Sequence, residues 1–217
     1  MAATIGFKKL TIRVLDDAAA KDGENLFVID GKKDGGATSS AKISGLAVES
    51  VKTWGSNKPY YVSGKGVGDV KIDFDIIDFP DAVQNAVLGL TEDDNGIITA
   101  TSDTEAPDVS VLLEDEDIRG NKFLLGFTTG KFSYDGTEFN TATDKASELA
   151  AETISFAGGA NDKNEYYKRY VGKEEEKITA MLNALGMNPS DTTTTTTSST
   201  TTTTTQPTTT TTTTTQD

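Results

Sequence analysis

The most regular hydrophobic pattern in the chain lies between Gly68 and Leu90, GDVKIDFDIIDFPDAVQNAVLGL. Val70, Ile72, Phe74 and Ile76 alternate with Lys71, Asp73 and Asp75, which is the two-residue period of a half-buried strand. The period then changes. Val83, Ala86, Val87 and Leu90 recur at i, i+3, i+4 and i+7, one apolar stripe of a short helix. Pro80 suits the first turn, where no N–H is needed. Asp81 complements the positive end of the helix dipole, and Gly89 is a stop signal. The pattern predicts a strand with one apolar and one charged face that runs directly into a helix. Val83, Val87 and Leu90 of that helix must dock on an apolar surface.

Most of the remaining pattern is strand-like. Ile5 to Leu15 carries Phe7, Leu10, Ile12 and Val14 as apolar positions, with Lys8, Lys9 and Arg13 expected in solvent. Leu26 to Ile29 is a short apolar run. Ala41 to Trp54 reads as one long strand with a kink at Gly45. Gly55 to Gly68 reads as a glycine-rich excursion holding Pro59, Tyr60, Tyr61 and Val62. Strands are also predicted at Gly96–Thr101, Val109–Leu113, Lys122–Phe127, Lys131–Tyr134 and Thr153–Phe156, with acidic turns at Thr91–Asn95 and Glu114–Arg119. The Ala/Glu-rich stretch from Ala146 reads as helix or loop. Lys173 to Leu185 predicts a second helix with Ile178, Met181, Leu182 and Leu185 on one edge, capped by Gly186 and followed by Pro189. Alone it is too short to be stable in water, so it must dock. Short strands between frequent turn signals predict a mainly β fold, a β-sandwich or flattened barrel with one packed α-helix.

Three regions follow. Residues 1–160 form the β domain, 161–189 an extension with the short helix, and 190–217 a threonine-rich tail. The tail has no apolar residues with which to offset its ordering entropy, so disorder is expected. A flexible end, a linker to a further domain and an O-glycosylated brush all suit that composition.

Composition narrows the chemistry. The chain has no cysteine and no histidine. Disulfide frameworks, thiol catalysis and Ser-His-Asp or Cys-His arrangements are therefore excluded. The net charge of −14 opposes binding to nucleic acid phosphates. No apolar run approaches the ~20 residues of a membrane helix. The first residues lack the pattern of a secretory signal, so the chain is expected to be made and kept in a cytoplasm. The GKGVG run at residues 64–68 precedes a strand rather than a helix, which argues against a phosphate loop. Asp93-Asp94-Asn95 and Glu114 to Asp117 hold hard-cation ligand types without EF-hand spacing, and read as acidic turns. No catalytic, cofactor or metal site is expected. A carboxylate-based hydrolase is a rival reading without a motif. Tyr60 and Tyr61 either pack on their own domain or meet a partner.

Three phrases resemble a known family. ATIGFKKLTIRVLD at the start, DVKIDFDIIDFPDAVQNAVLGL in the centre and RGNKFLLGFTTGKFSYDGTEFNTATDKASELAAETISFAG late in the chain are similar, in order and spacing, to major tail proteins. These come from long, non-contractile-tailed phages (siphoviruses) of Gram-positive bacteria. The threonine-rich tail departs from the family pattern. The resemblance implies a tail tube fold and a structural, non-enzymatic virion protein. Its subunits would join edge to edge into six-membered rings that stack into the conduit for genome delivery, assembled in the host bacterial cytoplasm. It further implies a tape measure protein in the lumen, tail terminator and distal tail proteins at the ends, and double-stranded DNA passing without specific binding. On this reading Asp73 and Asp75 face the lumen, and Trp54, Tyr60 and Tyr61 belong to an arm reaching the next ring. The rival structural reading is a bacterial surface or adhesion module on a glycosylated threonine-rich stalk.

Overall fold

The computed structural model describes residues 6–188, apart from 34, 138–140 and 142–150. The Ala/Glu-rich stretch at 146–150 and the threonine-rich tail lie outside the described residues.

Two antiparallel sheets face each other. The five-stranded sheet has the order β13-β10-β9-β1-β2 and the four-stranded sheet the order β11-β12-β6-β3. Their strands are β1 (Lys9–Val14), β2 (Leu26–Ile29), β3 (Ala37–Ser44), β6 (Val70–Asp78), β9 (Val109–Glu116), β10 (Lys122–Phe127), β11 (Thr129–Ser133), β12 (Glu152–Gly159) and β13 (Tyr167–Gly172). Among the described residues two small hairpins complete the β structure: β4 (Val51–Gly55) with β5 (Lys58–Ser63), and β7 (Thr91–Glu92) with β8 (Ile98–Thr99).

The principal core lies between the sheets. Leu10, Ile12, Val111, Leu113 and Phe127 from one sheet meet Ile72, Phe74, Phe132, Ile154 and Phe156 from the other. The rings of Phe132 and Phe156 meet edge to face at 5.3 Å, and those of Phe127 and Phe156 at 6.1 Å, a geometry favoured by the ring quadrupoles. The chain crosses between sheets at Thr128. Its N–H bonds Tyr166 O at 3.0 Å, and its hydroxyl donates to Glu165 O at 2.5 Å. That corner separates β10 from β11 at the break visible in the sequence.

The alternation in β6 is realised: Val70, Ile72, Phe74 and Ile76 are buried. The chain then enters α1 (Asp81–Leu88). Its Val83 and Val87 are buried in the principal core, each worth roughly 1.5–3 kcal/mol relative to exposure. Leu90 lies beyond the helix and is half-buried. Gly89 ends α1 at φ 68°. A Cβ there would lie 2.2 Å from the Glu105 carbonyl oxygen, so a side chain is excluded by space as well as by backbone preference.

The opposite face of the five-stranded sheet is also covered. The helix α2 (Glu175–Ala184) places Ile178 and Met181, followed by Leu185 and Met187, against Leu26, Leu112 and Leu124. Gly126 in β10 makes room, since a Cβ there would stand 2.4 Å from a Leu185 methyl. The Ser110 hydroxyl donates to Leu185 O at 2.7 Å. Burial on both faces explains the consecutive apolar residues Val111, Leu112 and Leu113 of β9.

Several expectations are corrected. Arg13 is not solvated: it is 4% exposed because acceptors within the fold engage its guanidinium. It donates to Asp16 Oδ1 at 2.8 Å, Ala18 O at 2.7 Å and Gly186 O at 3.2 Å. Ala41 to Trp54 is not one strand. β3 ends at Ser44, and the chain leaves the sheet at Gly45, whose φ is 73°. Gly55 to Gly68 is not a simple loop, because Lys58–Ser63 pairs back on Val51–Gly55. β9 extends through Glu116, so the turn that follows is shorter than expected. Residues 161–188 carry more than a short helix: β13 pairs with β10 along its whole length, from Phe127↔Tyr167 to Lys122↔Gly172.

Candidate assembly surfaces

The outer face of the four-stranded sheet is a polar lattice set by strand register. Asp73 lies opposite Ser155 on β12 and Lys42 on β3, and Asp75 lies opposite Thr153 and Ser40. The Ser155 hydroxyl donates to Asp73 at 2.7 Å, and Lys71 pairs with the same carboxylate at 2.9 Å. The Ser40 and Thr153 hydroxyls donate to the two oxygens of Asp75 at 2.6 and 2.7 Å. These bonds favour the charged forms. Asp73 titrates below its ordinary value chiefly through Ser155, then Lys71. Asp75 does so through Ser40, then Thr153, against a smaller opposing push from Asp73. Both carboxylates are therefore ionised at neutral pH and already engaged. The face is not purely acidic. Lys42 and Lys71 share it, and Lys131 on β11 pairs with Glu105 at 2.5 Å. Sequence periodicity isolates Asp73 and Asp75, but their hydroxyl partners come from strands 35 to 82 residues away.

The same sheet has two open edges. Among the described residues β3 pairs only with β6, and β11 only with β12. Such edges carry unpaired N–H and C=O groups that accept another strand.

The β4–β5 hairpin holds Trp54, Tyr60 and Tyr61 away from the core. They are 65%, 86% and 59% exposed. Ser56 and Asn57 have φ values of 51° and 60°, the paired positive values of a two-residue turn whose twist matches a hairpin. The hairpin pairs with no other strand among the described residues. At its base a Cβ on Gly45 would stand 1.7 Å from Asp69 O, so the two legs converge where only glycine fits. Tyr60 and Tyr61 thus do not pack into either core. Alternation over a turn without an Asn-Gly pair left this hairpin hidden in the sequence.

The acidic turns hold their own backbones. Asp93 Oδ1 accepts N–H bonds from Asn95 and Ile97, both at 2.8 Å. Asp117 Oδ1 accepts from Arg119 at 2.8 Å and Asn121 at 2.9 Å. Both carboxylates are pulled below their ordinary range, in each case first by a backbone N–H. Among the described residues no three acidic side chains gather as metal ligands, and no helix is long and apolar enough to cross a membrane.

A family model described as phage tail tube protein matches residues 1–185. No curated protein matches the chain.

Proposed function

Because the chain belongs to the phage tail tube protein family, and is thus a structural component of a virion tail that assembles with other tail proteins, we propose that six copies close into a ring through the edges of the four-stranded sheet. Rings then stack into the conduit for genome delivery. The observation that supports this reading is a sheet with two open edges and a polar, self-satisfied face. Pairing β3 of one copy with β11 of the next satisfies both edges of that sheet. Six copies of four strands, spaced about 4.8 Å and tilted by about 40°, give a barrel roughly 48 Å across between backbones. The five-stranded sheet and α2 then form the outer wall.

With Asp73 and Asp75 directed at the channel, passing duplex DNA meets carboxylates and hydroxyls. The nearest cation is held by Asp73. Affinity for DNA comes mainly from free cations that displace counterions. Lys71 and Lys131 are held in ion pairs and Lys42 faces Asp73 across the ladder, so the wall offers little of that and DNA slides without being held. Trp54, Tyr60 and Tyr61 form the inter-ring arm. Val83, Val87 and Leu90 anchor α1 beside the ring contact. In the assembled tail a tape measure protein occupies the lumen before DNA does, terminator and distal tail proteins close the ends, and assembly takes place in the host cytoplasm. Negative-stain electron microscopy over a concentration series tests the reading. Striated tubes or rings with a central hole are expected, and a uniform population of monomers at every concentration would overturn it.

A further inference from the structure

Residues on the polar face of the four-stranded sheet lie in rows that cross the strands. Ser44, Lys71, Ala157 and Lys131 form one row. Lys42, Asp73, Ser155 and Ser133 form the next, and Ser40, Asp75 and Thr153 the one after that. Lys42 is the sole charge on β3, and Lys131 the sole charge on β11. Among the described residues Asp75 pairs with no cation of its own copy. It accepts hydroxyl bonds from Ser40 and Thr153.

Resting on the ring reading, we infer that β3 of one copy meets β11 of the next in one register, with Ser40 opposite Lys131 and Lys42 opposite Thr129. Every neighbouring pair in the sheet is antiparallel, so β3 and β11 run in opposite directions and the seam is antiparallel as well. The pleat restricts the choices. Ala41, Ile43 and Phe132 pack on the core, and Gly130 is buried with them. A slip of one residue would turn these toward the polar face, which leaves Ser40, Lys42 or Ser44 to stand opposite Lys131. Ser44 is ruled out by length, because Thr129 would then lie past Gly45, where the chain leaves the sheet. Charge separates the other two. Lys42 opposite Lys131 sets like charges face to face, which is destabilising. Ser40 opposite Lys131 extends the row of Asp75 instead. Lys131, held by Glu105 in the single copy, comes within reach of a carboxylate that has only hydroxyl partners, while Lys42 keeps Asp73. Barrel closure favours the same register. A row that leaves one copy at Lys131 and enters the next at Ser40 rather than Ser44 is staggered by one residue for each of the four strands. That stagger tilts the strands of a closed barrel by about 36°, whereas the Lys42 register supplies half of it. The opposite sense of stagger would place Val48 against Lys131, beyond the end of β3.

The absence of cysteine permits a direct test by disulfide trapping in the full chain. Residues 42 and 129 lie on opposite edges of one sheet, roughly 14 Å apart, so a disulfide between them must join two copies. Lys42→Cys with Thr129→Cys should give, on mild oxidation of assembled tubes, a ladder of linked multimers on a non-reducing gel. Ser44→Cys with Thr129→Cys and Ser44→Cys with Lys131→Cys, which probe the other two registers, should stay monomeric. Charge exchange provides a second readout that needs no cysteine. Lys131→Asp should raise the protein concentration needed for assembly about fivefold, and adding Asp75→Lys should restore it. Linkage through residue 44 in place of 42, or no rescue by the charge exchange, would overturn the register and leave the ring reading standing. Wild-type tubes with none of the three pairs linked, or a wild-type chain that forms no rings or tubes, would overturn both.

Discussion

The Ser155 hydroxyl donates a 2.7 Å hydrogen bond to Asp73 directly across the ladder between β12 and β6. The bond fixes the carboxylate where Lys71 reaches it from two residues away on the same strand. A carboxylate so held neutralises Lys71 and faces Lys42 across the ladder. Replacing Asp73 and Asp75 by Asn removes that neutralisation while keeping size and hydrogen bonding. The double variant should fold and assemble, and its tubes should retain duplex DNA at low salt several-fold more than wild type. The difference should vanish in about 0.5 M salt, because released cations act through counterion displacement. Equal retention at low salt would count against a channel-facing role.

Acid should expose the same groups. Both carboxylates titrate below their ordinary range when folded. A lowered folded-state value contributes stability above the unfolded pKa of about 3.9 and loses it as pH falls through the folded value. The melting temperature of the wild type should therefore exceed that of the Asp73→Asn, Asp75→Asn variant at pH 7, and the gap should shrink as pH falls below the unfolded value of about 3.9. A gap of constant size across that range would refute the linkage.

Changing Tyr60 and Tyr61 to Ser removes aromatic surface that lies mostly exposed, outside both cores. Exposed positions away from special features shift stability by no more than about 0.5 kcal/mol. Thermal unfolding of the subunit should thus be nearly unchanged, while tubes become shorter and require higher protein concentration. Normal tube length and yield would show that the hairpin is not the stacking arm.

The hairpin base depends on Gly45. A Cβ at its φ of 73° would overlap Asp69 O, so Gly45→Ala must displace one leg of the hairpin. A loss of at least about 2 kcal/mol is expected in urea unfolding, together with impaired stacking. A loss below about 0.5 kcal/mol would mean that the legs separate without cost.

The helix offers an internal comparison. Val87 is fully buried against the principal core, whereas Leu90 is half-buried beyond the C-cap. Val87→Ala should cost about 2 kcal/mol and Leu90→Ala under about 1 kcal/mol, measured by urea unfolding. The reverse order would move the docking edge of α1 toward its C-terminus.

How much of this was legible in the sequence follows from locality. The β6–α1 unit was readable because its periods of 2 and 3.6 and its Pro80 and Gly89 signals lie within one short stretch. α2 was readable for the same reason. β13 was missed because Tyr167, Arg169 and Val171 alternate with residues that are also amphipathic, and its strand character comes from pairing with β10. Arg13 looked solvated because nothing local announces that Ala18 O and Gly186 O converge on it. The candidate site divided in the same way. Asp73 and Asp75 stood out by alternation, while Ser40, Thr153 and Ser155 are ordinary polar positions until register brings them together.

The most direct measurement is a cryo-electron microscopy reconstruction of the assembled tube at side-chain resolution. The expected result is sixfold rings whose inner wall is the continuous four-stranded sheet, β3 of each copy beside β11 of the next, with Asp73 and Asp75 toward the axis. A channel lined by the five-stranded sheet or by α2, or rings joined through other edges, would contradict it.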